Sequence, residues 1–295
     1  MNLPDEALEH LREVVGEPDL SGTRYHLLGL VGRGGMGAVY RAFDSTLARE
    51  VALKVIEVPG SSVEPALAEA RLLAQLEHPG IVAVHDAGVL PDGQAYVVMR
   101  LVTGRRLDEF FAGGDTGLSE RLVVFEKLCD AVAFAHSRGV IHCDLKPQNV
   151  VIGPFGEVVV LDWGIALVAG ASGETTVAGT SRYMAPEQRA GAAVDERADV
   201  HALGVLFGEL LPENSPAPLR AVAAKASADG LEARYQNVRT MAADVRSFQD
   251  RGPVTAYRES IWERGVRFAG RNAVLLLLIS AYVLARIALF FLRPR

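Results

Sequence analysis

The sequence predicts an α+β fold in two lobes, the first rich in β-strands and the second helical, followed by a single apolar helix near the C-terminus. Three observations carry this expectation. Residues 25–102 read as strands punctuated by glycine-containing turns, helical periodicity takes over from Ser119, and residues 273–292 form a 20-residue apolar run broken by one charge, Arg286. Strands segregated from helices, rather than alternating with them, mark α+β architecture.

The 295-residue chain is long enough for one large domain or two modest ones, and its 49% hydrophobic and 22% charged content is that of a globular protein. Two cysteines, Cys129 and Cys143, stand without a CxxC pattern or a Cys/His cluster, which excludes a disulfide framework or a structural zinc and suits a reducing compartment. The net charge of -6 conceals an asymmetry. Residues 251–295 hold eight arginines and two acidic residues, a surplus of +6, so the remainder carries -12. An acidic body disfavours nucleic acid as a partner, and the basic tail points to a membrane surface. Residues 1–20 are acidic and lack an apolar core, so no secretory signal is expected, and no internal repeat is apparent.

Residues 1–24 read as a leader, with a short helix over 5–15 and a linker containing Pro18, Ser21 and Gly22. Tyr25–Val31 leads as a strand into Gly32-Arg33-Gly34-Gly35-Met36-Gly37-Ala38-Val39, a glycine-rich turn followed by a second strand. Glycines let a backbone approach phosphate closely with its N–H groups free. A dinucleotide fingerprint is the alternative, but a helix would then follow the turn. Glu50–Ile56 alternates as a strand and carries Lys54, which is either paired within the fold or an edge-strand lysine facing solvent. Residues 64–77 are helical in pattern, with Leu67, Ala70, Leu73 and Leu76 as the apolar stripe and Glu69 off it. Strands over 81–90 and 94–102 flank the turn Pro91-Asp92-Gly93. Ser119 is the expected N-cap of a helix reaching His136, and Cys129 packs within it.

The chemistry concentrates in His142-Cys143-Asp144-Leu145-Lys146-Pro147-Gln148-Asn149. Asp144 can accept a hydroxyl proton, Lys146 can neutralise a transferring phosphate, and Asn149 can help to hold a hard metal ion. Short strands follow over 150–152 and 157–161, ending at Asp162-Trp163-Gly164.

These motifs, in this order, resemble the protein kinase superfamily, and specifically the eukaryotic-like serine/threonine kinases of bacteria with their Gly-Gly-Met-Gly loop. The resemblance covers roughly residues 25–249, and it divides a kinase domain over 25–250 into an N-lobe (25–102) and a C-lobe (103–250). It implies transfer of the γ-phosphoryl of ATP to Ser or Thr hydroxyls of proteins, with Mg²⁺, or Mn²⁺ in its place, as cofactor. ATP would be held by residues 31–39 (Val31, Gly32, Arg33, Gly34, Gly35, Met36, Gly37, Ala38 and Val39) together with Ala52, Lys54 and Met99. Lys54 would pair with Glu69, with Glu64 the less favoured candidate. Asp144 would be the base, Lys146 the charge stabiliser, and Asn149 and Asp162 the metal ligands. Thr175 and Thr176 are candidate phosphorylation sites of the activation segment. Thr180 would contact the catalytic pair, Glu187 would pair with Arg234, and Asp199 would anchor the catalytic loop. Homodimerisation for autophosphorylation is compatible with this set.

Several positions depart from the pattern. Arg100 stands where glutamate is frequent, and Trp163 stands where phenylalanine is usual. Cys143 replaces the arginine that reads activation-loop phosphate, so loop phosphorylation should not switch activity by that route; a packing thiol is the default reading and a redox role the alternative. Residues 212–217 are short where the family inserts a helix, which bears on substrate docking. The rivals are therefore a pseudokinase-like ATP-binding scaffold at the membrane and a kinase-fold enzyme acting on a small molecule.

After a basic juxtamembrane segment (251–272), residues 273–292 are long enough to cross a hydrocarbon core of about 30 Å. The alternative is a helix lying on the membrane or docked on the body. Arg258, Arg264, Arg267 and Arg271 precede the run and Arg293 and Arg295 follow it, which places the kinase domain in the cytoplasm of a single-pass protein of the cell membrane. About three residues would then emerge outside, with no external domain expected.

Overall fold

The computed structural model describes residues 17–34, 37–56, 63–112, 116–163, 167–168 and 182–291. Its first lobe is a five-stranded antiparallel sheet, β1 (Tyr25–Gly34), β2 (Gly37–Asp44), β3 (Arg49–Ile56), β4 (Val84–Val89) and β5 (Ala95–Arg100), in the order β1-β2-β3-β5-β4. Strand alternation divides the side chains between two faces. One face buries Tyr25, Ala38, Tyr40, Ala42, Val51, Leu53, Val55, Tyr96 and Val98 in a core of its own. The register pairs Val39 with Lys54, Lys54 with Val97 and Ala52 with Met99, so these residues share the opposite face. Lys54 therefore sits on the middle strand, and the edge-strand reading is excluded.

Helix α1 (Glu64–Leu73) lies between β3 and β4. It is shorter than the predicted 64–77, and its buried residues are Ala66 and Ala70. Of the predicted stripe, Ala70 and Leu76 are buried and Leu73 packs on the core, while Ala66 and Glu69 widen the inward face beyond it. Small alanines let α1 approach the sheet, and Leu67 is left only partly covered.

The second lobe is built on α3 (Leu118–Ser137), which follows a two-residue strand β6 (Arg105–Arg106) and α2 (Leu107–Ala112). Helix α3 buries Leu122, Phe125, Leu128, Cys129, Val132 and Ala135, as its spacing predicted. Each fully buried Leu, Val or Phe among them contributes roughly 1.5–3 kcal/mol. Its N-cap is Gly117 rather than Ser119, and no side chain caps it. Arg121 takes up the local constraint instead, donating to the Thr116 and Leu210 carbonyls at 3.0 Å each. Strands β7 (Val140–Ile141), β8 (Val150–Ile152), β9 (Val158–Val160) and β10 (Leu167–Val168) carry the central loops, with β6-β8-β9 in one small sheet and β7 paired to β10 in another.

Four helices follow, α4 (Pro186–Arg189), α5 (Arg197–Leu210), α6 (Ala217–Ala226) and α7 (Val238–Gln249). Phe207 of α5 stacks on Phe125 of α3 at 4.2 Å. Helix α6 crosses α5 at Gly204, where a Cβ would stand 2.6 Å from the Ser227 nitrogen, so only glycine permits this approach. Residues 211–216 join α5 to α6 directly, with no helix between them.

The chain ends in α8 (Ile261–Arg271) and α9 (Ala273–Phe291). Among the described residues, no helix is long and apolar enough to cross a membrane. The predicted N-terminal helix, Gly35, Met36, Gly164, Thr175, Thr176, Gly179 and Thr180 lie outside the described residues.

The expected ion pair between Glu187 and Arg234 forms with both ends engaged, Nη1 to Oε1 at 2.6 Å and Nη2 to Oε2 at 2.8 Å. The guanidinium is fully buried and also donates to the carbonyls of Ala228, Arg197 and Asp229. Burial would raise the Glu187 carboxyl, but the Arg234 bonds outweigh it and hold it below the ordinary value. Removing one member strands a buried charge, at a cost of about 3–5 kcal/mol. Urea denaturation at pH 7 should show Arg234→Met destabilised by roughly that amount, while Glu187→Leu combined with Arg234→Met recovers most of it. Because the Glu187 carboxyl is held low, its contribution is present at neutral pH and is lost as pH falls through its folded value. The double variant should lack that acid-side loss.

Candidate active site

The catalytic loop is assembled from below by one carboxylate. Asp199 near the start of α5 accepts the His142 N–H at 2.8 Å, the Cys143 N–H at 2.9 Å and His136 Nε2 at 2.7 Å. It is fully buried. Desolvation would raise its carboxyl, yet His136 and the surrounding donors hold it below the ordinary range. Cys143 adopts φ 65°, a left-handed conformation rare for a residue with a side chain. The fold over-determines it. Its N–H is held by Asp199, and its carbonyl accepts the Gln188 amide at 2.8 Å. Gln188 is itself fixed by the Ala185 N–H at 3.0 Å. The Cys143 thiol is buried, in line with a packing role.

Asp144 Oδ2 accepts Lys146 Nζ at 2.6 Å and Asn149 Nδ2 at 3.3 Å. Asn149 Nδ2 also donates to the Asp144 carbonyl at 2.9 Å, which leaves its amide oxygen as the acceptor end. The β8–β9 register brings the Asp162 segment alongside. Val150 pairs with Val160, and the Leu161 N–H donates to the Asn149 carbonyl at 2.7 Å. His142 Nε2 donates to the Leu161 carbonyl at 3.0 Å. Trp163 is buried, with its indole N–H 3.3 Å from the Val160 carbonyl and its ring 4.5 Å from that of His142. The indole thus fills the place predicted for an aromatic ring and gains a hydrogen bond that phenylalanine cannot make.

The two lobes are stitched at the same level. The Val160 N–H donates to the Gly80 carbonyl at 2.8 Å and the Val82 N–H to the Val160 carbonyl at 3.2 Å. Across this seam Lys54 Nζ reaches Asp162 Oδ1 at 2.5 Å. The predicted partner of Lys54 was Glu69, and here the structure differs. Burial pushes the Glu69 carboxyl up to about 7, with Lys54 offsetting only part of the rise and Asp162 adding to it. Burial acts on Asp162 too, but Lys54, His142 and Lys146 outweigh it and keep that carboxyl below its ordinary value. A carboxylate that stays ionised is the better partner for a lysine.

The structure thus brings together two bonded groups between the lobes, Lys54 with Asp162 and Asp144 with Lys146 and Asn149, joined through the Leu161 N–H on the Asn149 carbonyl. Val39, Ala52 and Met99 lie on the sheet face that carries Lys54, and residues 31–34 continue from the β1–β2 ladder at the glycine-rich turn. Sequence reading missed His136, His142 and Gln188. A histidine directly before the catalytic loop was a legible signal, whereas Gln188 and His136 reach the loop only through the fold. Asn149 and Asp162 present few, hard oxygen donors of the kind Mg²⁺ takes when phosphates complete its shell, so the residues fit that ion.

A β-rich lobe over a helical lobe, with this constellation at the seam, defines the protein kinase class. A model of the protein kinase domain matches residues 25–251, and the chain belongs to that family. It is 41% identical over 209 residues to serine/threonine-protein kinase PknA of Mycobacterium tuberculosis, covering 67% of this chain and 48% of that one. It is 34% identical over 284 residues to a probable serine/threonine-protein kinase of Streptomyces coelicolor (81% and 42%), and 35% identical over 230 residues to PknD of Chlamydia trachomatis (64% and 24%). The chain spans less than half the length of these curated relatives.

The raised Glu69 carboxyl has a consequence for stability. With its folded value near 7 and an ordinary value of 4.5, the folded state binds the extra proton between these limits, so the group's effect becomes less favourable as pH rises from 4.5 to 7. Glu69→Gln removes this titration. In thermal melts of nucleotide-free protein at pH 5 and pH 8, the variant should gain on the parent toward the higher pH.

Proposed function

We propose that this chain is a serine/threonine protein kinase acting at a membrane. The pairing of Lys54 with Asp162 beside the Asp144, Lys146 and Asn149 cluster supports the reading, because these are the group types that phosphoryl transfer uses. In the proposed reaction the substrate hydroxyl gives its proton to Asp144 as its oxygen bonds to the γ-phosphorus of ATP. The bond from that phosphorus to the β-phosphate oxygen breaks, and ADP leaves. Lys146, tied to Asp144, neutralises charge on the transferring group, and Lys54 takes the phosphates on the nucleotide side. Asn149 and Asp162 would hold Mg²⁺, or Mn²⁺ in its place, and the bound ion would neutralise phosphate charge. Most of the catalysis is positioning, and the Asp199 and Gln188 clamps on the loop are built to supply it.

Anchoring belongs to α9. It carries a 19-residue helix whose described apolar side chains, among them Val274, Leu277, Leu278, Tyr282 and Leu284, stand exposed around its circumference. A helix apolar on all sides belongs in a protein core or a bilayer. The 20-residue run 273–292 read from the sequence, rather than the described helix by itself, supplies the length for a span. The arginine bias ahead of α9 favours a single span with the kinase domain in the cytoplasm.

Full-length protein in detergent, incubated with Mg-ATP, should incorporate label on Ser or Thr. Asp144→Asn should lower the rate by about 10²–10⁴-fold while ATP binding is retained. Equal labelling by the variant would remove Asp144 from the chemistry. In cell membranes the full chain should resist alkaline carbonate extraction, and its release would rule out the span.

A further inference from the structure

We infer that α8 is an interfacial helix that lies flat on the surface of an anionic bilayer and holds the kinase domain close to it. Ile261, Trp262 and Phe268 are 88%, 86% and 61% exposed. At 3.6 residues per turn they fall within an arc of about 120°. Arginines stand at 264, 267 and 271, three or four residues apart, so helical spacing lines these positions along the other side. An exposed aromatic and aliphatic face backed by a basic one is the pattern of a helix seated at the headgroup boundary, with tryptophan at its preferred depth and arginines on phosphate. An 11-residue helix is marginal in water on its own. This one is nonetheless started firmly by a capping box, with the Glu263 N–H on Ser260 Oγ at 3.2 Å and the Ser260 N–H on Glu263 Oε2 at 2.7 Å.

Charge and continuity select the occupant. The tail's +6 complements an anionic lipid surface, and although the -12 body is also acidic, Ile261, Trp262 and Phe268 stand exposed and are not covered by the body of this chain. Asn272 alone separates α8 from α9, so the orientation follows from the spanning role proposed for α9 and rests on it.

The other end of α8 is tied to the C-lobe. Asp244 of α7 accepts the Thr255 N–H at 2.8 Å, the Thr255 hydroxyl at 2.7 Å, the Ala256 N–H at 3.1 Å and the Tyr235 hydroxyl at 2.6 Å. Residues 257–260 then lead into α8. Fully extended, that stretch spans only about 14 Å. The C-lobe is therefore held within a short radius of the surface, and the substrates within reach are proteins at the same membrane.

Trp262 supplies the test, because the chain has two tryptophans and the other, Trp163, is buried. Full-length protein is placed in nanodiscs of phosphatidylcholine alone or with about one-third phosphatidylglycerol. Iodide quenching and quenching by doxyl-labelled lipid are then read against a Trp262→Phe control. In the anionic discs the Trp262 signal should be shielded from iodide severalfold and quenched by the lipid label. Replacing Arg264, Arg267 and Arg271 together by glutamate should lower affinity for the anionic surface by about two orders of magnitude and restore iodide access. Equal iodide access in both lipids while the chain co-elutes with the discs would overturn the proposal, as would shielding that is already complete in neutral discs. If the chain fails to enter the discs, the spanning role of α9 has failed. The same quenching with added vesicles of the two compositions then decides α8, shielding on the anionic vesicles supporting it and none overturning it.

Discussion

The Asp199 carboxylate lies deep in the C-lobe and accepts bonds from the backbone of His142 and Cys143 and from the ring of His136. A buried charge is tolerated only when donors surround it. Here the donors belong to the start of the catalytic loop and to α3, so meeting the needs of one charge fixes the loop against two helices. Cys143 is held left-handed between that carboxylate and the Gln188 amide, and Asp144 emerges from the clamp in a set direction. Position 143 serves through its backbone, and that requirement survives the exchange of arginine for cysteine.

The same logic extends upward. The β9 strand bonds to residues 80–82 of the first lobe, and Lys54 crosses the seam to Asp162. Asp162 is also left-handed, with φ 53°, at the end of a strand whose backbone is tied to the catalytic loop through Leu161. Two residues in sparsely populated conformations therefore flank the site, Cys143 held by Asp199 and Gln188 and Asp162 held by Lys54. Such strain is stable only where the surroundings enforce it.

Below the catalytic machinery, Asp244 repeats the device on a smaller scale. It gathers four donors and turns the chain leaving α7 toward α8 and α9. The tail is thereby joined to the C-lobe through a short leash.

What was legible in the sequence is what the chain carries in short compass. The glycine-rich turn, the Lys54 strand, the Asp144 to Asn149 loop and the Asp162 turn are each defined within about ten residues, where backbone geometry and spacing settle the chemistry. The Glu187–Arg234 and Asp199 anchors were also readable, because family resemblance carries long-range pairings that periodicity cannot. The full buried face of α1 was not readable, because Ala66 and Glu69 join the stripe residues Ala70 and Leu73 there. Neither was the cap of α3, the role of Gln188 or the choice of Lys54 between Glu69 and Asp162. That choice turns on which carboxyl the fold carries to the Lys54 ammonium across the seam. The chain by itself determined which groups the site contains. Tertiary structure decided which of them stay ionised and bond to one another, because desolvation is a property of the packed molecule and not of any segment.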